Sequence, residues 1–299
     1  MKHQFIEYKL LDWINPENLD WELLSENPNA IHLLCDNPEK IDWHYLSKNP
    51  NAVYLLEQNP DKIDSIWTRF LLSTNPNAVH LSEKDIDNID WHELSRNPGA
   101  IPLLEKNIDK VIWDMLSVNP KGIHLLEQNP DKIEWSLLCT NPNAIHLLEQ
   151  NINKIDWDLL SKNPNAIPLL EKYIDRISWY LLSRNPNALH ILEKNIDSVN
   201  WESLSSNPNA LHLLEKNQDK IDWHYLSKNP SAIHLLEKNP EKIKWRIFST
   251  NPAIFEPVYD YHKMKERMRA TIAKELLQKA MHPSMLKRYL DMGGDLEDF

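Results

Sequence analysis

Asn141-Pro142-Asn143-Ala144-Ile145-His146-Leu147-Leu148-Glu149-Gln150-Asn151-Ile152-Asn153-Lys154-Ile155-Asp156-Trp157-Asp158-Leu159-Leu160-Ser161-Lys162 is one unit of a pattern that fills most of the chain. Its opening Asn-Pro recurs at Asn27, Asn49, Asn75, Asn97, Asn119, Asn141, Asn163, Asn185, Asn207, Asn229 and Asn251. Every step is 22 residues except that from 49 to 75, which is 26. Repetition at a fixed short period predicts a stacked array, because one unit cannot bury its apolar face alone. Residues 27–250 therefore read as ten units, with an insertion of four residues within 63–74.

Each unit reads as two short helices. Asn before Pro is pushed out of the α region and can cap the next helix, and Pro suits the first helical position, where its missing N–H costs nothing. Ala30, Ile31, Leu33 and Leu34 then come at helical spacing. In the second half, Asp42 is a candidate N-cap for a helix carrying Trp43 and Leu46, and Pro38-Glu39-Lys40 between the helices suits a 3₁₀ turn. No sustained period-2 pattern calls for strands. The fold class expected is all-α: an α-solenoid of ten two-helix units with helical caps at both ends. Ten units at about 8–10 Å each would make an elongated body of roughly 80–100 Å.

Composition narrows the function. The chain has 299 residues and a net charge of -11, which opposes general binding to nucleic acid or anionic lipid. There is no apolar run long enough to span a membrane and no signal-peptide core at Met1-Lys2-His3-Gln4-Phe5. Cys35 and Cys139 make no disulfide framework, so a reducing, intracellular and cytoplasmic setting is expected. Four glycines leave little material for phosphate loops, and no Gly-rich loop, His-Glu-x-x-His, Cys-x-x-Cys or Gly-x-Ser-x-Gly is present. The reading is non-enzymatic, with no cofactor, no catalytic set and no metal.

Several columns run through the units. Trp43, Trp91, Trp113, Trp135, Trp157, Trp179, Trp201, Trp223 and Trp245 share one column, to which Trp21 and Trp67 are added by the same pattern. Tryptophans in register could stack bases, but beside Ile and Leu in an acidic protein they read as core. Histidine holds a second column at His32, His80, His124, His146, His190, His212 and His234, with Tyr54, Pro102 and Pro168 in the other units. That tolerance suits a half-exposed helix position. Glu57, Glu105, Glu127, Glu149 and their equivalents read as a solvated edge, or as a negative rail for a basic partner. The residue after Trp varies (His44, Thr68, His92, Asp114, Ser136, Asp158, Tyr180, Glu202, His224, Arg246), as does the residue before Asn-Pro. A constant frame with free positions fits a modular binding face, and drift at exposed sites fits equally well. Candidate partner-binding residues are His44, His92, Tyr180, His224 and Arg246, with Arg69 and Phe70 in the insertion.

The ends differ from the middle. Residues 1–26 hold a half unit from Asn15-Pro16 to Leu24 and read as an N-terminal cap. Residues 251–299 carry eight basic and eight acidic groups, so the net charge resides in residues 1–250. Helical spacing over 258–281 predicts a helix, and a second is expected after Pro283. This block reads as a cap or as a docking module, with Lys263 and Arg267 on its basic stretch as further candidate contacts.

The repeated Leu-Ser-x-Asn-Pro-Asn-Ala-Ile-His-Leu-Leu-Glu-Lys unit resembles the Asn-Pro-rich repeat proteins of giant DNA viruses. So do the C-terminal stretches Tyr259-Asp260-Tyr261-x-x-Met264-Lys265 and His282-Pro283-Ser284-x-x-Lys287-Arg288-Tyr289-Leu290. A weaker resemblance is to bacterial leucine-rich variant repeats, which implies an α-helix paired with a 3₁₀ helix. The first resemblance implies a viral origin, in host cytoplasm or virion, and no mechanism. The function expected is a protein–protein interaction scaffold or adaptor with an unidentified protein partner. The alternatives are a structural component of a virus particle and, third, a nucleic-acid-binding repeat protein.

Overall fold

The computed structural model describes residues 6–83, 89–259 and 265. Two compact units are present: Leu10–Glu256, and a smaller one of Met1–Lys9 with Pro257–Phe299. Among the described residues the chain is an all-α repeat solenoid of 21 short α-helices, with 3₁₀ turns between them. The longest, Ile66–Ser73, has eight residues. Helices this short are not stable alone, so their order comes from packing between units.

In the unit that opens at Asn141 the first helix is Ile145–Glu149, the 3₁₀ turn Ile152–Lys154 and the second helix Trp157–Ser161. The 3₁₀ linker and the acidic cap fall where expected: Asp156 Oδ1 accepts from the Leu159 N–H at 2.9 Å. The start of the first helix does not. Asn141-Pro142-Asn143-Ala144 forms a turn, with Asn141 Oδ1 accepting from Asn143 N–H at 3.0 Å, and the helix begins only after Ala144. The Asn amide is turned sideways, toward the neighbouring unit.

That sideways contact is the main joint of the solenoid. Asn163 Nδ2 donates to the carbonyls of Cys139 (2.9 Å) and Asn141 (3.0 Å), while its Oδ1 accepts from Asn165 N–H (3.0 Å). The same fork joins Asn119, Asn141, Asn185, Asn207, Asn229 and Asn251 to the unit before each. All are essentially inaccessible to solvent. A second ladder uses the Asn two residues on: Asn165 Nδ2 donates to Pro142 O at 2.8 Å. A third uses the serine two residues before Asn-Pro, whose hydroxyl donates to the Trp carbonyl four residues back and accepts a backbone N–H of the next unit. Ser161, with Trp157 O at 2.7 Å and Ser178 N at 2.9 Å, is typical.

These ladders do not end; they close. Asn27 Nδ2 donates to Ser249 O (2.9 Å) and Asn251 O (3.0 Å), as Asn49 does to Ser25 O and Asn27 O. Asn29 Nδ2 donates to Pro252 O at 2.9 Å, and Asp20 N–H to Ser249 Oγ at 2.9 Å. Leu11 N–H reaches Ile254 O at 3.0 Å, and Trp13 packs on Phe248 with ring centroids 6.0 Å apart. Within Leu10–Glu256 the array is therefore closed on itself, and the open elongated body is corrected. Its eleventh unit is built from both ends of the array. Residues 251–254 open it, and the turn Pro16–Asn18 and helix Trp21–Ser25 complete it. The residues expected as an N-terminal cap fill this role.

Two strands, β1 (Ile6–Leu10) and β2 (Phe255–Tyr259), pair in a two-stranded sheet, against the expectation of no strands. Val258 and Tyr259 thus begin as strand where a helix from 258 was expected. Lys263 and Arg267 lie outside the described residues, as does the rest of the C-terminal block except Lys265, which is helical and exposed.

The core belongs to other side chains than tryptophan. Leu34, Leu46 and their equivalents, with Ala30 and its equivalents, are fully buried. The nine candidate tryptophans and Trp21 are half-buried. Five of them, Trp21, Trp135, Trp157, Trp201 and Trp223, have the basic residue of the following 3₁₀ turn over the ring: Lys154 lies 4.1 Å from the Trp135 centroid, Lys242 4.4 Å from Trp223 and Arg176 5.5 Å from Trp157. A cation over indole contributes about 0.5–1 kcal/mol at such sites. Trp135→Ala is expected to cost about 2 kcal/mol, less than Leu138→Ala at roughly 3–4 kcal/mol, because only the leucine leaves an enclosed void. Urea unfolding of the two variants checks the order, and equal or reversed costs would contradict it.

Candidate binding surface

The residue after Trp stands outward, as a binding column requires. His44, His92, Tyr180, His224 and Arg246 are all exposed. In the inserted unit the register differs from the sequence expectation. Ser73 Oγ donates to Arg69 O (3.1 Å), as Ser47 Oγ does to Trp43 O (2.8 Å), so Arg69 and not Trp67 occupies the Trp position. The four extra residues are absorbed before Arg69, and Ser65 caps the lengthened helix by accepting from Thr68 N–H at 3.1 Å. Thr68, expected in the exposed column, is buried and bonded to His44 Nδ1 and Ser65 Oγ at 2.6 Å each. Phe70 takes its place, which keeps the column continuous.

The register shift leaves Ile66 80%, Trp67 72% and Phe70 37% exposed on one helix. Arg69 pairs with Asp64 beside them. Behind this surface lies a cavity of about 190 Å³ between Leu56, Ile63, Leu72 and Leu81, edged by Glu57, Asp64 and Arg69. A second groove of about 250 Å³ runs along Ile66, Trp67 and Phe70, and shares Arg69 and Ile89 with the first. Insertion length and aromatic content were legible in the sequence; the exchange of Arg69 for Trp67 was not.

The other candidates divide. Arg184 lies over the rings of Tyr180 (5.5 Å) and Tyr225 (5.0 Å), so Tyr180 belongs to a small cation–aromatic cluster. Arg246 reaches Asp20 at 3.7 Å across the closure, and His92 contacts Glu93 at 3.3 Å. The histidine and glutamate columns, read separately from sequence, pair with each other. His146 Nε2 meets Glu127 Oε1 at 2.9 Å, and His80, His124, His190, His212 and His234 repeat this with a glutamate of the preceding unit. The acidic rail is thus largely engaged in joining units, at a gain of about 0–1 kcal/mol per exposed pair. In the column before Asn-Pro, Thr74, Thr140, Ser206 and Thr250 donate to their own helix carbonyls, and Lys48 pairs with Glu26. With Arg96 on Glu93 and Arg184 over its tyrosines, seven of the ten positions have a local structural use.

The cysteines fill places in columns. Cys139 stands where other units have Ser, and its Sγ donates to Trp135 O at 3.2 Å. Burial, chiefly, pushes its thiol up to about 11. Cys35 is exposed, with its thiol also raised by partial burial and then by Asp36. Because the thiolate is the reactive form, Ellman's reagent near pH 7.5 is expected to titrate one thiol quickly, at Cys35, and the second only after unfolding. Two fast thiols would show that Cys139 is not held as described.

Among the described residues no group of three or more His, Cys, Asp or Glu is arranged to hold a metal ion, and no helix is long and apolar enough to cross a membrane. No family model, curated protein or solved structure matches the chain. The site has to be read from its own geometry.

Proposed function

We propose that the chain is a non-enzymatic scaffold that binds a partner protein through the exposed faces of its second helices, with the inserted unit as the principal contact. The observation that carries this reading is the break in a regular frame. Neighbouring units repeat the same Asn, Ser and Leu contacts, while one unit displaces a tryptophan into solvent beside an isoleucine and a phenylalanine. Exposed apolar side chains grouped in this way mark interaction sites more often than scattered ones do. His44, Phe70 and His92 stand in consecutive units around that point, and Arg69 sits within it.

Affinity purification of the full chain and of the Trp67→Ser/Phe70→Ser variant, with mass spectrometry, tests this. A specific partner held by the parent and lost by the folded variant is expected. Recovery of no specific protein, or only of stoichiometric particle proteins, would favour the structural role instead. A strut is a poorer fit to an array whose first and last units bond to each other. A nucleic-acid role meets the opposition of the net charge of -11. A viral origin, and with it a host-cytoplasmic or virion location, is proposed on the sequence resemblance alone.

A further inference from the structure

One position in the unit that follows the insertion works against stability. In the first helix of every other complete unit the fourth residue is a fully buried leucine, as at Leu34, Leu56, Leu104, Leu126, Leu148 and Leu170. The helix Val79–Ser82 has Ser82 there, only 9% exposed, and its hydroxyl has no hydrogen-bond partner among the described residues. A buried, unpaired hydroxyl is destabilising, and the smaller side chain also forgoes the leucine's packing. Ser82 borders the cavity of about 190 Å³, together with Leu56, Ile63, Leu72 and Leu81. The cavity joins the groove of Ile66, Trp67 and Phe70 through Arg69 and Ile89. Of the charged side chains along the two, Asp64 is paired with Arg69 and Glu57 contacts His80, and with Asp90 the carboxylates outnumber Arg69 three to one.

Resting on the scaffold reading, we propose that this groove docks a cationic amphipathic segment of the partner, with an apolar side chain entering the cavity toward Ser82. Apolar walls take the anchor, the Ser82 hydroxyl can accept from a polar edge such as an indole N–H, and the acidic edge meets the basic groups beside it. A second copy of this chain fits less well, because two acidic bodies would have to meet at an acidic groove.

Ser82→Leu separates this role from a structural defect. It restores the residue used in the other units, so it is expected to raise the melting temperature by a few degrees while closing the cavity. The probe is a fluorescein-labelled helical peptide of about 15 residues built from Leu, Trp and Lys, with a counterpart in which Glu replaces Lys, both read by anisotropy against the full chain. The Lys peptide is expected to bind at least about tenfold more tightly than the Glu peptide, and to lose about tenfold or more in both Ser82→Leu and Trp67→Ser. Equal binding of the Lys peptide by parent and both variants would overturn the groove, as would equal binding of the two peptides. Self-association of the parent that disappears in Trp67→Ser would overturn it in favour of a second copy. A partner captured equally by parent and Ser82→Leu would sink the groove and leave the scaffold standing; absence of any partner would sink the scaffold itself.

Discussion

Asn207→Asp is expected to destabilise the protein by at least about 4 kcal/mol, the largest of the expected effects. Asn207 Nδ2 donates to Ser183 O and Asn185 O at 3.0 Å each, while Oδ1 accepts from Asn209 N–H at 3.0 Å, with the side chain wholly buried. Aspartate keeps the acceptor and loses both donors. Two buried carbonyls of the preceding unit are left unpaired at about 1–3 kcal/mol each, and a carboxylate is forced among oxygen atoms. Asn209→Ala is the comparison, since it removes one exposed bond to Pro186 O and is expected to cost less than about 1 kcal/mol. Chemical denaturation of both variants tests the ladder. A cost within about 1 kcal/mol for Asn207→Asp would mean that the fork is not what holds units together.

Gly99→Ala is expected to cost about 3 kcal/mol. Gly99 lies in the second unit after the insertion, and a Cβ there would overlap the carbonyl oxygen of Pro76 in the preceding unit and lie 2.9 Å from its carbon. Both are backbone atoms, so the unit must move as a whole, which is the expensive form of overpacking. At the same joint Asn97 Nδ2 donates to Ser73 O at 2.8 Å. Gly122→Ala is different. Its Cβ would meet the Leu116 side chain first, at 2.6 Å from Cδ1, and Ala30, Ala100 and Ala144 occupy that place elsewhere. It is expected to change stability by less than about 1 kcal/mol. Equal costs for the two glycines, read from unfolding midpoints, would contradict the close approach at Pro76.

The period of 22 residues was enough to read the repeat, the two helices and the 3₁₀ link, because each has a local cause. Asp156 caps, Trp157 and Leu160 share a helix face, and Lys154 ends a turn. The role of Asn163 was legible only in half. Its place before Pro164 predicts an extended backbone and a local cap, but the amide's two donors go to another unit, and nothing local encodes that. The tryptophans were misplaced for a related reason. Hydrophobicity places an indole in the core, whereas a nearby lysine lets it remain partly exposed, as Lys154 does at Trp135. Closure was hidden because half of the eleventh unit stands at Asn251-Pro252 and half at Asn15–Ser25, more than 200 residues apart in sequence. The candidate surface is marked in the sequence by its insertion, yet the orphaned hydroxyl of Ser82 and the cavity beside it needed three dimensions.

Units at opposite ends of the sequence are neighbours in the closed array, and double electron–electron resonance measures this directly. Spin labels are placed at Glu22→Cys and Arg246→Cys, with Cys35→Ser and Cys139→Ser. Both labelled positions are exposed residues next to a Trp, on either side of the closure. The pair Glu202→Cys and His224→Cys, in adjacent units, is the reference. The closed array predicts similar distances for the two pairs, both within about 20 Å, twice the spacing of packed helices. A Glu22–Arg246 distance of about 80–100 Å, the span of ten units stacked at normal helix spacing, would contradict it.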